Sequence, residues 1–452
     1  MELFEKVEMI ARAVAGAGGR AMLVGGCVRD TILGIPVKDY DMEIYGIDHH
    51  TLLAAIAPVC EFDAVGMSFG VLKVKHFDID IAMPRKENKT GMGHRGFLVE
   101  LDPQLDFASA AARRDFTVNA IMQDALTGEI IDPWHGQDDL KNRILRHVSP
   151  AFSEDPLRVL RAMQFIARFD LTAHPETVRL CAELSQNELP KERIAAEWEK
   201  LLLKGIHIAK ALNFLRECSW VKYYPALNAL IGCPQNPQWH PEGDVWNHTL
   251  AVVEAAALKR KNSPDDLIFM LAALCHDFGK PLCTEIQPDG RITSMGHDIL
   301  TAPAQEFITA IWQRKELPEK VIPLIARHMH PWQLAESNSG DKAFRKLALF
   351  AGRMDLLADL AEADVRGIVM SDAERAGRLA VIDRFRARCE ALAIADTVPQ
   401  PLIQGRHLLA RGMKPGAEFK PLLDECFEAQ LAGKFTDLDS GLKYLEKLLC
   451  GK

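Results

Sequence analysis

The sequence predicts an α+β protein, with a mixed α/β head followed by an all-helical remainder. Two patterns point to it. Extended, β-branched stretches such as VLKVKHFDIDIAM (71–83) and EIIDP (129–133) are concentrated in the first third, separated by turn residues. From about Pro150 onward, apolar residues recur at i, i+3 and i+4, with breaks at Pro or Gly. A chain of 452 residues also exceeds one hydrophobic core. The expected divisions are a head over 1–145, a helical neck over 146–232, a second helical unit over 233–395 and a helical tail over 396–452. The Pro- and Asn-rich run CPQNPQWHP (Cys233–Pro241) reads as the linker into the second helical unit, and TVPQP (Thr397–Pro401) as the break before the tail.

Composition is ordinary, at 48% hydrophobic, 26% charged and 7% aromatic residues. No apolar run is long enough to span a bilayer, so no membrane partner is expected. The N-terminal stretch lacks the basic start and cleavage region of a signal peptide. Ten cysteines are scattered with no C-x-x-C pair, a usage that fits reduced thiols in a cytoplasm better than disulfides or structural zinc. A net charge of −8 argues against nucleic-acid binding over the whole surface, though not against a local basic track. Arg85, Lys86, Lys89 and Arg95, then Lys141, Arg143, Arg146, Arg158, Arg161 and Arg168, form such a track in sequence.

The segment LVGGCVRDTILGIPVKDYDMEIYG (23–46) carries the strongest signal. An apolar run breaks at Gly25-Gly26, where backbone N–H groups can approach phosphate closely. A helix-like segment then carries Arg29. An extended run follows with Asp39, Asp41 and Glu43 at alternate positions, which puts the carboxylates on one face and Tyr40, Met42 and Ile44 on the other. Acids held side by side repel unless a divalent cation lies between them, and Mg²⁺ commonly shares such ligands with substrate phosphates. In Phe77–Met83 the same alternation offers Asp80 as a third carboxylate, with Glu43 as the alternative.

On these residues the chain resembles the nucleotidyltransferase superfamily, specifically the class II tRNA nucleotidyltransferases (CCA-adding enzymes) and their poly(A) polymerase relatives. The resemblance implies a polymerase-β-like head with Asp39 and Asp41 as Mg²⁺ ligands and Asp39, Asp41 and Asp80 as the catalytic carboxylates. It places Gly25, Gly26 and Arg29 at the nucleotide. AARRDFTVNAI (111–121) resembles the family's R-R-D-x-x-x-N-A motif, through which Arg114 would reach triphosphate and Asp115 the ribose. In SEDPLRVLRAMQF (153–165), Ser153 is the expected helix N-cap, with Asp155 in the first turn. Asp155 and Arg158 then share a helix face, and the family uses this acid–arginine pair to read CTP or ATP without a nucleic-acid template. Arg161 would add a phosphate or base contact. Gln164 stands where the family usually has Arg, which removes one charge from the pocket. Lys191-Glu192-Arg193 and Glu197 resemble the neck motif that buttresses it. ENKTGMGHRGF (87–97) matches a loop that helps switch specificity from C to A.

The helical half adds His248, His276-Asp277, His297, His328 and Asp364, in that order. His330 is an alternative to His328, because spacing does not choose. The helix carrying His276-Asp277 is expected to begin near Ser263–Asp266 and end at Gly279. The set resembles the HD phosphohydrolase superfamily, and its imidazoles and carboxylates suit Ni²⁺ or Mn²⁺, with Mg²⁺ a further candidate. The order WHPE…NHT…LCHDFGK…GH…EADVRG resembles the gamma-proteobacterial type of CCA-adding enzyme. In that type the HD domain has phosphatase, 2′-nucleotidase and 2′,3′-cyclic phosphodiesterase activity.

The sequence therefore leads to a cytoplasmic, template-independent enzyme, monomeric or homodimeric, that builds or repairs the CCA of a tRNA 3′ end from CTP and ATP and carries a phosphohydrolase. The alternatives are an A-adding enzyme or poly(A) polymerase and, from another class, a phosphohydrolase whose head only binds nucleotide or RNA. A third is an RNA-binding or chaperone protein with both sites degenerate.

Overall fold

A computed structural model describes residues 2–66, 71–89, 97–187 and 189–450. The chain divides into two compact units, Met1–Tyr223 and Tyr224–Lys452. The first begins with α1 (Leu3–Gly16), which buries Val7, Ile10 and Val14 and is capped reciprocally by Glu2 and Glu5. β1 (Arg20–Val24) ends at Gly25, where φ is +75°, and α2 (Gly26–Ile32) starts at once. β2 (Tyr40–Tyr45), α3 (His49–Ile56), β3 (Phe62–Gly66), β4 (Val71–Val74) and β5 (Ile79–Ala82) follow. β6 (Arg85–Lys89) and β7 (Phe97–Leu101) form a separate antiparallel ribbon. After α4 (Phe107–Ala112), β8 (Met122–Asp124) and β9 (Ile130–Ile131) complete a seven-stranded sheet ordered β3-β4-β5-β2-β1-β8-β9. Within it, among the described residues, only β2 and β5 run parallel, with Asp41 opposite Asp80. Met22, Val24, Tyr45, Ala110, Ala111 and Met122 form a core under β1.

α5 (Gly136–Lys141) leads to the neck, where α6 (Leu157–Phe169) packs on α8 (Lys191–Lys204) and α9 (Ile208–Glu217), with α7 (Pro175–Glu183) between them in sequence. Asp155 does not lie in the first turn of α6. A 3₁₀ turn over Pro150–Glu154 precedes it, and Asp155 is extended at φ −124° and ψ 98°. Pro156 accounts for this, because proline disfavours helical backbone at the residue before it. Ser149, not Ser153, caps the turn, and the Asp155 carboxylate accepts from Leu157 N–H.

The second unit is helical: α10 (Pro225–Asn228), α11 (Val245–Ala257), α12 (Asp266–Cys275), α13 (Lys280–Cys283), α14 (Ala302–Ile311), α15 (Glu316–Ile325), α16 (His330–Glu336), α17 (Asp341–Ala351), α18 (Met354–Gly367) and α19 (Asp372–Ala391). Then come α20 (Gly405–Leu409), α21 (Phe419–Leu431) and α22 (Leu438–Cys450), closed on their own core of Leu408, Leu422, Phe435 and Leu445. Every residue of α12 is buried, as its near-continuous apolar sequence requires. α11 lies against α18 so closely that a Cβ on Gly367 would stand 2.4 Å from Val252 Cγ2. The α+β expectation holds. Among the described residues no helix is long and apolar enough to cross a membrane.

Candidate functional sites

In the head, Asp41 and Asp80 sit side by side because β2 and β5 are parallel and in register. Asp39 is exposed just before β2. A Cβ on Gly25 would lie 3.3 Å from Arg114 Nη1 and 3.5 Å from Asp41 Oδ2, so this glycine stands where the arginine and the carboxylate meet. Gly26 opens α2 beside it. Although Asp41 is exposed as a residue, its carboxyl is held above its ordinary range. Displaced solvent is the main cause, followed by like charge from Asp39, while Arg114 opposes and Asp80 adds a smaller repulsion. Lys73 pairs with Asp80 at 3.6 Å.

Glu43 shares the strand with Asp41 but serves another purpose. It is 1% exposed, receives Arg113 Nη2 and the Tyr45 hydroxyl at 2.7 Å each, and lies 3.6 Å from Arg114 Nη2. Burial raises its pKa, yet Arg114 and Arg113 overcome this and hold it below the ordinary value. Of the two alternatives for the third carboxylate, Asp80 is therefore the one beside Asp41, and Glu43 anchors the arginine pair.

Arg29 is not on the open face. It is buried, donates to Asn119 Oδ1 at 2.6 Å and to Asp30, and stacks 4.2 Å from the Phe169 ring centroid. Asp115 is likewise buried, gripped by Arg161 at 2.7 Å and by Asn119 at 3.0 Å. Asp155 accepts from Arg193 at 2.8 Å, so the expected buttress does touch it. Arg158 donates to the carbonyls of Ala151 and Arg113, tying the neck to the arginine motif. Gln164 is buried in α6 and accepts from Arg168 at 3.0 Å. Residues 90–96 of the Gly-containing loop, with Arg95, lie outside the described residues.

The second unit brings its six sequence-predicted residues together. The ligand atoms of His248, His276 and Asp364 lie within 4.8 Å of one another, as do those of Asp277, His297 and His328. His276 Nε2 is 3.2 Å from Asp277, His297 Nε2 is 3.4 Å from Asp277 and 3.3 Å from His328 Nε2, and His248 Nε2 is 2.9 Å from Asp364. One local device orients three of the rings. His276, His297 and His328 each place Nδ1 2.8 Å from the carbonyl three residues earlier, leaving Nε2 to face the cluster. The expectation that His276 and Asp277 lie on the helix is not met: α12 ends at Cys275 and both are in the turn after it, while His328 lies in the turn after α15. This Nδ1 contact draws each imidazole back over the helix end. Gly279 fits because a Cβ there would be 2.1 Å from His297 O. His330 opens α16, outside both triads.

The donor set suits a divalent cation. His276 Nε2 and Asp277 Oδ1 are buried without a hydrogen bond, an arrangement that is costly unless an ion completes it. Burial and the facing His276 and His297 depress His328 to about 4, leaving a neutral imidazole. His248 is pushed up to about 9, because hydrogen bonds to Asp364 and Glu242 outweigh burial.

Four residues were given no role at the sequence level. Glu242 joins His240 and His248 at 2.8 and 2.9 Å, and Lys280 Nζ reaches Asp277 and Gln235 at 2.7 Å each. Their only sequence signal was membership of WHPE, CPQNP and HDFGK. Gln235 and His240 belong to the run read as a linker, which instead lines a cavity of about 750 Å³ next to the histidines.

Fold and residue clusters together define a nucleotidyltransferase head and neck joined in one chain to an HD unit. Residues 21–146 match the poly A polymerase head domain, and residues 245–387 match the HD domain. The chain belongs to the multifunctional CCA protein family. It is 38% identical over 326 residues to the multifunctional CCA protein of Actinobacillus pleuropneumoniae serotype 5b, covering 70% of this chain and 76% of that protein. It is 40% identical over 282 residues to that of Neisseria meningitidis serogroup C, covering 61% and 64%. Among solved structures, the fold is similar to the Bacillus stearothermophilus CCA-adding enzyme in complex with CTP (TM-score 0.66, 22% identity, 100% of this chain and 98% of that one). It is also similar to the Thermotoga maritima CCA-adding enzyme complexed with tRNA (TM-score 0.60, 16% identity, 98% and 94%).

Proposed function

We propose that the first unit adds or repairs the 3′-terminal CCA of tRNA from CTP and ATP without a nucleic-acid template. The second unit is then a metal-dependent phosphohydrolase for 2′-phosphate and 2′,3′-cyclic phosphate ends. The observation that carries the transferase reading is the register of Asp41 against Asp80, with Gly25 and Arg114 meeting beside them.

Asp39, Asp41 and Asp80 are the residues that would hold Mg²⁺. When bound, Mg²⁺ favours the ionised form of the attacking 3′-hydroxyl and offsets triphosphate charge. Arg114 directs its planar donors to the triphosphate, kept in place by Glu43. Gly25 and Gly26 let the backbone approach the phosphates. Asp155 and Arg158 supply acceptor and donors for the base edge, with Arg193 fixing the acid. Asp115, held by Arg161 at 2.7 Å, would meet the ribose, with Arg161 adding a phosphate or base contact. Nucleotidyl transfer then rests on positioning and charge stabilisation by these groups. In the second unit, His248, His276, Asp277, His297, His328 and Asp364 would hold Ni²⁺, Mn²⁺ or Mg²⁺, which supplies Lewis-acid stabilisation of the phosphoryl group. Lys280 places a positive charge beside Asp277. A cytoplasmic monomer or homodimer fits this reading. An A-adding enzyme is the second reading, since the uncharged Gln164 in α6 leaves the choice of nucleotide open.

The test separates the two activities. Asp41→Ala should abolish incorporation of labelled CTP and ATP into tRNA and spare hydrolysis of a nucleoside 2′,3′-cyclic phosphate; Asp277→Ala should do the reverse. If wild-type protein hydrolyses the cyclic phosphate but incorporates neither nucleotide, the head is a binding module only.

A further inference from the structure

The cavity beside the HD residues is built in two parts. Its deep end carries Asp277, Lys280, His297 and Asp364, a chemistry that suits a phosphoryl group and metal. Its mouth is different. Trp239 is 53% exposed, unusually open for a tryptophan, and Arg378 of α19 holds its guanidinium 5.8 Å from the indole centroid. Met295, 82% exposed, stands on the same rim.

The platform is coupled to the metal residues through the backbone. Trp239 and His240 both donate to Asn236 O, at 3.0 and 2.9 Å, which fixes the turn. His240 then meets Glu242, and Glu242 meets His248. The backbone of Trp239, fixed one residue from this chain of contacts, carries the indole on the wall of the cavity. The volume of about 750 Å³ is in the range of sites for drug-sized ligands and far exceeds what a phosphate needs.

We propose that Trp239, backed by Arg378, is the base platform of this cavity: it stacks the nucleobase of a ribonucleotide whose phosphate lies at the HD cluster. The proposal rests on the phosphohydrolase reading for its phosphate end and adds the residues that make the substrate a nucleotide. Stacking reads the face of a base, which all four bases share, so the platform favours nucleotides over base-free phosphates with little choice among bases.

The experiment compares wild-type protein with Trp239→Ala and Trp239→Phe, all full length and loaded with the same metal. Hydrolysis of adenosine 2′-monophosphate and of glycerol 2-phosphate is measured, with equilibrium binding of adenosine 2′-monophosphate alongside. Trp239→Ala should raise KM and weaken binding for the nucleotide by about 5- to 150-fold, the scale of one base–aromatic stack. Its kcat, its metal content and its glycerol 2-phosphate kinetics should not change, and Trp239→Phe should restore most of the loss. Equal losses on both substrates, or unchanged nucleotide KM and binding, would overturn the platform. If wild-type protein hydrolyses neither compound, the phosphohydrolase reading fails by itself; the platform then stands or falls on whether Trp239→Ala weakens nucleotide binding.

Discussion

Asp41 and Asp80 occupy paired positions on two adjacent parallel strands, the only parallel pair in the seven-stranded sheet among the described residues. The pairing brings together two carboxylates 39 positions apart in sequence and fixes them on rigid backbone beside Gly25 and Arg114. Asp41→Asn or Asp80→Asn should therefore lower nucleotide incorporation by more than about 100-fold, the upper scale for residues that only support a metal ligand. Steady-state rates with saturating CTP check this. Nucleotide binding measured without Mg²⁺ should change little, since the loss lies in the metal.

Glu43 makes a different prediction from its neighbour two residues away. Its carboxylate is buried under Arg113 and Arg114, so Glu43→Gln leaves two guanidinium groups with a weaker anchor. The KM for CTP and ATP should rise by about 10-fold, taking as the scale the loss of a partner that orients a metal ligand. Unfolding free energy should fall by up to about 3 kcal/mol, the lower end for breaking a buried pair. Denaturant unfolding and initial-rate kinetics test the two parts separately.

Gly279 is required by packing. Gly279→Ala should displace the turn carrying His276 and Asp277, because its Cβ would overlap His297 O and come within 2.9 Å of Leu300 O. Metal content of the second unit, by elemental analysis, should drop well below that of wild type while CTP incorporation persists.

A pH effect follows from Glu362. Burial raises its pKa, but Lys259, Arg386 and Arg366 hold it down, to about 2 from an ordinary 4.5. Its contribution to stability is thus complete above pH 4.5 and is lost as pH falls toward 2. Thermal unfolding should show Tm falling over that window, and Glu362→Gln should flatten the fall.

Much of this was legible in the sequence because the chemistry is local. Gly25-Gly26, the alternating acids and the R-R-D string each lie within one turn or strand, and six of the HD residues could be picked in order. The misplacements came from tertiary packing. Period-2 alternation puts Asp41 and Glu43 on one face, but it cannot say that Arg113 would cover one and leave the other open. Arg29, expected at the nucleotide, packs against Asn119 and Phe169, more than 80 residues away, which no pattern within 23–46 reveals. The breaker Gly279 sets the expected end of α12, whereas the helix stops at Cys275 and His276 Nδ1 contacts Ala273 O in the turn that follows. The Cys233–Pro241 run has the composition of a linker, and only packing makes it a cavity wall.

The most direct test of the central claim is a chain-extension assay. Purified protein with Mg²⁺ is given three tRNAs, ending at the discriminator base, at C or at CC, with CTP, ATP or both, and product lengths are read on a gel. All three should extend to CCA and stop when both nucleotides are present, with CTP alone carrying the first two only as far as CC. Extension of the CC-ended tRNA alone, by a single A, would contradict full CCA addition and mark an A-adding enzyme. Long A tails would mark a poly(A) polymerase, and no extension of any substrate would contradict a transferase role for the head.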